Sequence, residues 1–595
     1  MQILPYDYLD DRPANLPGLA HVARAVARLR AQSRNTLLLD NGDFLQGSPM
    51  ADFFALDRGL GPDEVHPMIA AMNALGFDAG TLGNHEFNYG LDFLMRALRD
   101  AQFDLVSANL VAQIGPTPEE DTPLVRPYTL LHRDLCMGDC STKSIVIGVI
   151  GLGPPQTVQW DSAALAGRVE ARDMVEAARH WVPRMRAEGA DLVIALAHTG
   201  IDAACPTGWM QENAARALAQ ITGIDALVLG HVHKVFPSLD FDGLDDVDLR
   251  QGTISGTPAV MSGHYGRRLG VIDLHLSHQD GWTIARTHPR TLSLGRAGRN
   301  PTGAGMPLPA GLRGTATAHA ETLAHIRQTV GQSDTPLHSF FAQLGPTPAQ
   351  SLIAAAQRAW FVGQPEASAH AGIPVLSAVA PFKAGGQPGP GNFTDVAKGP
   401  LTRRHMHDLY PFPNKIAALI VTGAEIKAWL EAVAGLYRPV KTGVADAMLL
   451  SADSLAYNFD MIEGLEYSFD LSAEQRLTGL AHGGRLIADA DRFVVLTNSY
   501  RAAGGGGLCP ILPACRHIAL AQTLNRAALV QHIEQLGRVR ATKSLGGWHL
   551  TAAPGSTALF DTAPAAAACL DDIAEYHPEV VGETDQGFLR LRLNF

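Results

Sequence analysis

Gly83-Asn84-His85-Glu86 follows the run Phe77-Asp78-Ala79-Gly80-Thr81-Leu82, and together they read as a short strand ending in a tight turn that carries an amide and an imidazole side by side. Alone, such a turn is ordinary, because Asn and Gly are common turn formers. Three further strand-like runs, however, end in residue types that bind metals. Thr36-Leu37-Leu38-Leu39-Asp40 leads into Asn41-Gly42-Asp43, Asp191 to Ala197 into His198-Thr199-Gly200, and Ile224 to Leu229 into Gly230-His231-Val232-His233. Helical spacing of apolar residues separates these runs, at 18–30, 63–75, 91–99, 171–188 and 213–219. Strands alternating with helices predict an α/β layered domain whose ligands collect at the carboxyl ends of strands.

Working outward, runs at 103–108, 144–152, 259–262 and 269–276 add strands, and this domain is expected to span 1–295. A Gly- and Pro-rich stretch at 296–311 and a helix at 315–330 make 296–333 a linker with a bridging helix. A second α/β unit is expected over 334–595, with helices at 351–360 and 423–436, a strand at 416–421 and a closing strand at 588–595. A chain of 595 residues is too long for one core, so two domains fit.

Hydrophobic residues at 46% and charged residues at 18% are those of an ordinary globular chain. The net charge of −12 leaves no electrostatic footprint for duplex nucleic acid. No apolar run is long enough to span a bilayer. The opening Met1-Gln2-Ile3-Leu4-Pro5-Tyr6-Asp7 has neither a basic nor an apolar segment, so no secretory signal is read. Six cysteines, with no C-x-x-C pair, are not a zinc framework. Cys136/Cys140 and Cys509/Cys515 flank turns and suit either local disulfides or free thiols.

One carboxylate (Asp43), one amide (Asn84) and three imidazoles (His198, His231, His233) form a donor mixture suited to Mn, Zn or Co ions. Taken singly, Asp43 also suits a turn cap and His198 a core position. The i, i+2 spacing of His231 and His233 brings both imidazoles to one side only if the segment is extended.

These motifs, G-D at Gly42-Asp43, G-N-H-E at Gly83 to Glu86, A-H-T-G at Ala197 to Gly200 and G-H-V-H at Gly230 to His233, resemble those of the calcineurin-like metallophosphoesterases. Leu39 to Gly47, Asn84 to Gly90, Ala380 to Gly386 and Asn498 to Gly506 are similar to the 2′,3′-cyclic-nucleotide 2′-phosphodiesterase/3′-nucleotidases, relatives of the 5′-nucleotidases, along nearly the whole chain. The resemblance implies a four-layer α/β/β/α sandwich followed by a 5′-nucleotidase-type substrate domain. It implies that Asp43 bridges two divalent ions, that Asn84, His198 and His231 complete one site, and that His233 belongs to the other. In the family that other site also takes an Asp-x-His ahead of a segment similar to Gln2 to Tyr8. No such motif precedes it in this sequence, so one site is expected to be incomplete and the start to be truncated or mis-assigned.

The resemblance makes His85 the phosphate-facing histidine. It also places Asn88 where many 5′-nucleotidases have Asp and the cyclic-phosphodiesterase branch has Asn. In the second unit it calls for two aromatic rings around the base, expected from Tyr500 and one of Tyr410 or Phe412 in Tyr410-Pro411-Phe412-Pro413-Asn414, while Lys383 and Arg403 are candidate cations. The expected activity is metal-dependent hydrolysis of 2′,3′-cyclic nucleotides to 3′-nucleotides and of these to nucleoside and phosphate. The alternatives are a 5′-nucleotidase or nucleotide-sugar hydrolase, and a nucleotide-binding protein with little turnover. The partners expected are nucleotides and cyclic nucleotides, for a monomer without a membrane span. Resemblance implies the periplasm; the lack of a signal in the sequence implies the cytoplasm.

Overall fold

The computed structural model describes residues 2–14, 17–202, 208–294, 309–441, 443, 445–451, 454–506, 517–540 and 547–595. The chain forms two compact units, Met1–His325 and Ile326–Phe595.

In the first unit the runs read as strands build two sheets. Leu39–Asp40, Ala79–Thr81 and Asp104–Val106 pair in parallel, with Leu39 opposite Ala79 and Ala79 opposite Asp104. Thr142–Leu152, Leu192–Ala197, Ala226–Leu229 and Thr257–Ser262 lie parallel and adjacent in that order in a larger sheet, which Tyr128–Cys136 extends antiparallel. Strands buried on both faces need continuous apolar sequence. Accordingly every residue of Leu192–Ala197 is buried. One face of the larger sheet packs with Ala79 and Val106 of the smaller one around Ile147, Val149 and Leu196. The other face packs on Met174–Ala187 and Ala215–Ala219 through Ala177, Val182, Met185 and Leu218. Leu19–Gln32, Pro67–Leu75 and Leu91–Leu98 are the helices next to the small sheet's strands in the chain.

Local chemistry sets the helix starts. Asp173 Oδ1 accepts from the N–H groups of Val175 and Glu176, both at 2.9 Å, so that helix begins at Met174 rather than 171. Pro67 occupies a first-turn position and His66 Nδ1 accepts from Met68 N, which starts the helix four residues later than the apolar spacing suggests. A long hairpin, Arg268–His278 with Trp282–Ser293, adds a strand that periodicity missed. The expected Gly/Pro-rich stretch at 296–311 lies almost wholly outside the described residues.

The continuous helix expected at 315–330 is corrected. It runs Ala316–Ile326, and Thr329–Ser333 is a strand, because Thr329 and Gly331–Ser333 pair with Gly399–Thr402, with Val330 at a bulge between them. The second unit centres on a five-stranded sheet ordered Met461–Glu463, Val375–Val379, Arg492–Asn498, Lys415–Thr422 and His517–Leu524. Helix Pro348–Val362, capped by Thr347, reaches this sheet through Phe361, which packs on Ala418, Ile420, Val494 and Leu496.

Cys136, Cys140 and Cys569 are free thiols, and Arg34 Nη1 lies 3.2 Å from both Cys136 and Cys140 sulfurs, so the first pair is not bridged. Cys205, Cys509 and Cys515 fall outside the described residues. Among the described residues no helix is long and apolar enough to cross a membrane.

Candidate metal centre

Four strands of the first unit deliver their following loops to one corner. Asp43, Asn84, His198 and His231 meet there in pairs. His198 Nε2 lies 2.9 Å from Asp43 Oδ2, and His231 Nδ1 lies 3.1 Å from Asn84 Oδ1. The two imidazole rings are 5.5 Å apart. Each ring is fixed by its other nitrogen: His198 Nδ1 bonds the carbonyl of Asn41 at 2.6 Å and His231 Nε2 bonds Glu212 at 2.8 Å. His233 is near enough to His85, Asp43, His198 and His231 to feel their charges, and its ring stacks on His264 at 4.9 Å.

Electrostatics follow from burial. Burial pushes the Asp43 carboxyl up, but His198 and His85 outweigh it and leave the group below its ordinary range. For His198 burial lowers the pKa, and the Asp43 carboxylate more than reverses this, raising it to about 9. The pair therefore demands a positive charge between its partners. Burial, with His85 next, lowers His233 to about 4, so this imidazole is neutral and its lone pair available.

Backbone conformation aims the donors. Asp43, His231 and His233 all have positive φ, at 62°, 70° and 60°. Non-glycine residues in that region are uncommon and cluster at functional sites. The Gly-His-Val-His segment is therefore not extended, so the condition under which i, i+2 spacing would bring both imidazoles to one side is not met. Glu86, fully buried, holds the corner: Oε2 accepts from Asp43 N and Gly83 N at 2.6 and 2.8 Å, and Oε1 from Phe44 N and Leu45 N at 2.7 and 3.0 Å. It staples the loop of Asp43 to that of Asn84. Gly83 is required by contact, since a Cβ there would sit 2.3 Å from Asp43 Oδ1.

His85 stands beside this corner. Its N–H donates to Asp43 Oδ1 at 2.9 Å and its Nδ1 lies 2.6 Å from Asn88 Oδ1. The three-residue spacing is delivered by the single turn His85–Phe87.

In the second unit the candidates separate. Phe412 and Tyr500 are half-buried, and Phe412 packs edge-on against Phe382 and Tyr457 at 5.4 and 6.4 Å. Tyr410 is 1% exposed in the core with Met406 and Leu409, so Phe412 is the more exposed ring of the two. Lys383 is ion-paired to Asp408, and both side chains are largely buried, so it is not a cation free for a ligand. Arg403 Nε donates to Gln328 at 3.0 Å, tying a helix start to the first strand of the unit. The carbonyl of Asn414 accepts from Asn525 N and Nδ2 at 2.9 and 3.2 Å. Below Tyr500, buried Arg501 pairs with Asp460 at 2.7 Å and donates to the carbonyls of Gly505 and Tyr457 at 2.6 and 2.7 Å. A side chain at Gly505 would strike the Tyr500 ring at 2.5 Å.

The family model for calcineurin-like phosphoesterases matches residues 15–235, and that for the 5′-nucleotidase C-terminal domain matches 329–513. A 2′,3′-cyclic-nucleotide 2′-phosphodiesterase/3′-nucleotidase of Yersinia enterocolitica is 35% identical over 631 aligned positions, covering 100% of this chain and 93% of that protein. The chain belongs to that family. The phosphoesterase is also 36% identical to the trifunctional nucleotide phosphoesterase YfkN of Bacillus subtilis, over 94% of this chain but 39% of that longer protein. A crystal structure of YfkN covers 55% of the chain at 37% identity and a TM-score of 0.51. A 5′-nucleotidase precursor from Thermus thermophilus shares the fold over 93% of this chain and 99% of its own, at 20% identity and a TM-score of 0.57.

The family implies divalent metal, and the phosphoesterase's own residues fit one. Among the described residues no three His, Cys, Asp or Glu side chains close on a single point. The donors instead lie in pairs at 2.9 and 3.1 Å, the roughly 3 Å expected between adjacent donors around an octahedral ion with bonds of about 2.1 Å. His198 Nε2 is fully buried and, although 2.9 Å from Asp43, is outside hydrogen-bond geometry, an orphaned donor atom that an ion would satisfy. Glu212 and the Asn41 carbonyl bond the outer nitrogens of these imidazoles, as the second partners of metal-ligating histidines do. Neither they nor Glu86 were read from the sequence. Glu86 lay within the quoted motif, but Glu212 is 19 residues from His231 on an irregular segment, without a spacing signal.

Proposed function

We propose that this protein hydrolyses 2′,3′-cyclic nucleotides to 3′-nucleotides and then releases phosphate from the 3′-nucleotide. The observation that carries this reading is the end-to-end match, across both units, to proteins bearing that name. The pairing of His85 with Asn88 rather than with an acid supports the same branch.

Asp43, Asn84, His198 and His231 would hold one ion, and Asp43 with His233 would contribute to a second. Bound divalent ions would supply a nucleophilic water and neutralise phosphoryl oxygens. The chain's residues do the rest. Water adds to phosphorus, the bond to the 2′ oxygen breaks, and that oxygen takes up a proton. His85, its Nδ1 committed to Asn88, has Nε2 to exchange that proton or to stabilise charge on the phosphoryl group. Phe412 and Tyr500 are the rings offered to a base in the second unit, where stacking tolerates any base. Arg501 and Gly505 hold Tyr500 in place.

The test is phosphate release from 2′,3′-cyclic AMP, 3′-AMP and 5′-AMP with Mn²⁺ present. The proposal expects the first two to be turned over well ahead of the third. Preference for 5′-AMP would make the chain a 5′-nucleotidase, and nucleoside binding without any release would make it a binding protein.

A further inference from the structure

Trp160 and Asp161 lie where two single-turn helices meet, Thr157–Trp160 and Ser162–Leu165. Trp160 stacks on the His231 ring at 5.6 Å with the planes 18° apart. Asp161 occupies the position preceding the second helix, where an aspartate ordinarily accepts from the helix's own first N–H groups. Its side chain makes no such cap bond. Instead Asp161 Oδ2 lies 2.9 Å from Asn88 Nδ2, and Asn88 Oδ1 lies 2.6 Å from His85 Nδ1. One short segment thus touches both a candidate metal ligand and the group behind the candidate catalyst.

The chemistry of this chain of contacts runs one way. An ionised carboxylate only accepts hydrogen bonds, so the amide nitrogen of Asn88 must face Asp161. Its oxygen then faces His85, and an oxygen there requires the proton on Nδ1, leaving Nε2 as the unprotonated nitrogen of the neutral ring. Asn88 alone would not impose this. An amide turned by half a rotation presents N–H to Nδ1 and selects the opposite tautomer. An aspartate at 88 would have no donor face and would need no such guide.

We propose that Asp161 is a positioning residue: it fixes the amide orientation of Asn88 and, through it, the ring tautomer of His85. This rests on the reading of His85 as the group that serves the phosphoryl centre. It differs from a loop-bracing role in a way that can be measured, because bracing lost at 161 cannot be restored by a change at 88.

Asp161→Ala is expected to lower kcat about 10- to 100-fold, part of the roughly 10²- to 10⁴-fold that proton transfer contributes, with KM within about 2-fold. The double variant Asn88→Asp/Asp161→Ala is expected to return kcat to within about 3-fold of the parent, because the carboxylate at 88 accepts from Nδ1 whichever way it turns. Unchanged kcat in Asp161→Ala, or a folded double variant no faster than Asp161→Ala, would overturn the proposal. Nitrogen-15 spectra of the neutral His85 imidazole in the parent protein, assigned by loss of the signal in a folded His85→Gln variant, give a readout independent of turnover. A protonated Nδ1 is expected. A protonated Nε2 overturns the inference, even if the protein hydrolyses no nucleotide and the functional reading fails by itself.

Discussion

The metal corner of the first unit and the aromatic corner of the second use their polar groups in opposite ways. In the first, groups other than the candidate ligands do the structural bonding: Glu86 takes four backbone N–H groups, the Asn41 carbonyl takes His198 Nδ1 and Glu212 bonds His231 Nε2. Asp43 and His198 are thereby left facing each other. In the second, side chains do the structural bonding themselves, with Lys383 on Asp408, Arg403 on Gln328 and Arg501 on Asp460. There the candidate rings Phe412 and Tyr500 are left half-buried. The difference teaches that a polar residue near a site is free for chemistry only when something else carries the local fold.

Five predictions sharpen or break this contrast. Asp43→Ala removes the carboxylate on which the corner converges, so kcat should fall about 10³-fold or more, with loss of bound Mn by elemental analysis. Retained metal and activity would mean that the pairs at 2.9 and 3.1 Å are structural bonds only. Glu86→Ala strands buried N–H donors and should cost about 3 kcal/mol in urea unfolding, a value near zero being evidence that the loops hold without it. Phe412→Ala and Tyr500→Ala should each raise KM about 10-fold at nearly constant kcat, as expected for the roughly 1 to 3 kcal/mol of a stacked base. Tyr410→Ala should instead lower stability by about 3 kcal/mol, as a core truncation does. Smallest is Arg403→Ala, expected to change KM by less than about 2-fold and stability by less than about 0.5 kcal/mol. A large rise in KM there would restore this arginine as a substrate cation.

Much of the first unit could be read in advance because its candidate functional residues sit at strand ends, where apolar runs stop abruptly against Gly-Asp, Gly-Asn-His, His-Thr-Gly and Gly-His-Val-His. Pattern and position agree there. What stayed hidden depended on backbone torsion and on partners distant in sequence. The left-handed conformation of His231 and His233 defeats any argument from alternation, and Glu212 and Asp161 are ordinary acids until folding places them on His231 and Asn88. In the second unit the motifs were legible but roles within them were not. Tyr410 and Phe412 stand two residues apart, and burial alone decides that one is core and the other half-buried. Likewise Thr329 and Val330 continued a helical pattern until a neighbouring strand drew Thr329–Ser333 into a ladder.

The torsions at Asp43, His231 and His233 carry a last consequence. A non-glycine residue held in that region costs on the order of 1 to 3 kcal/mol, and it persists only while the surrounding structure insists on it. Selection of variants for melting temperature alone, in the presence of a chelator, would therefore be drawn to glycine at 233, where the strain vanishes and no ion is there to be missed. The most heat-resistant winner of such a screen would be a well-folded protein that had traded away its reason for folding this way.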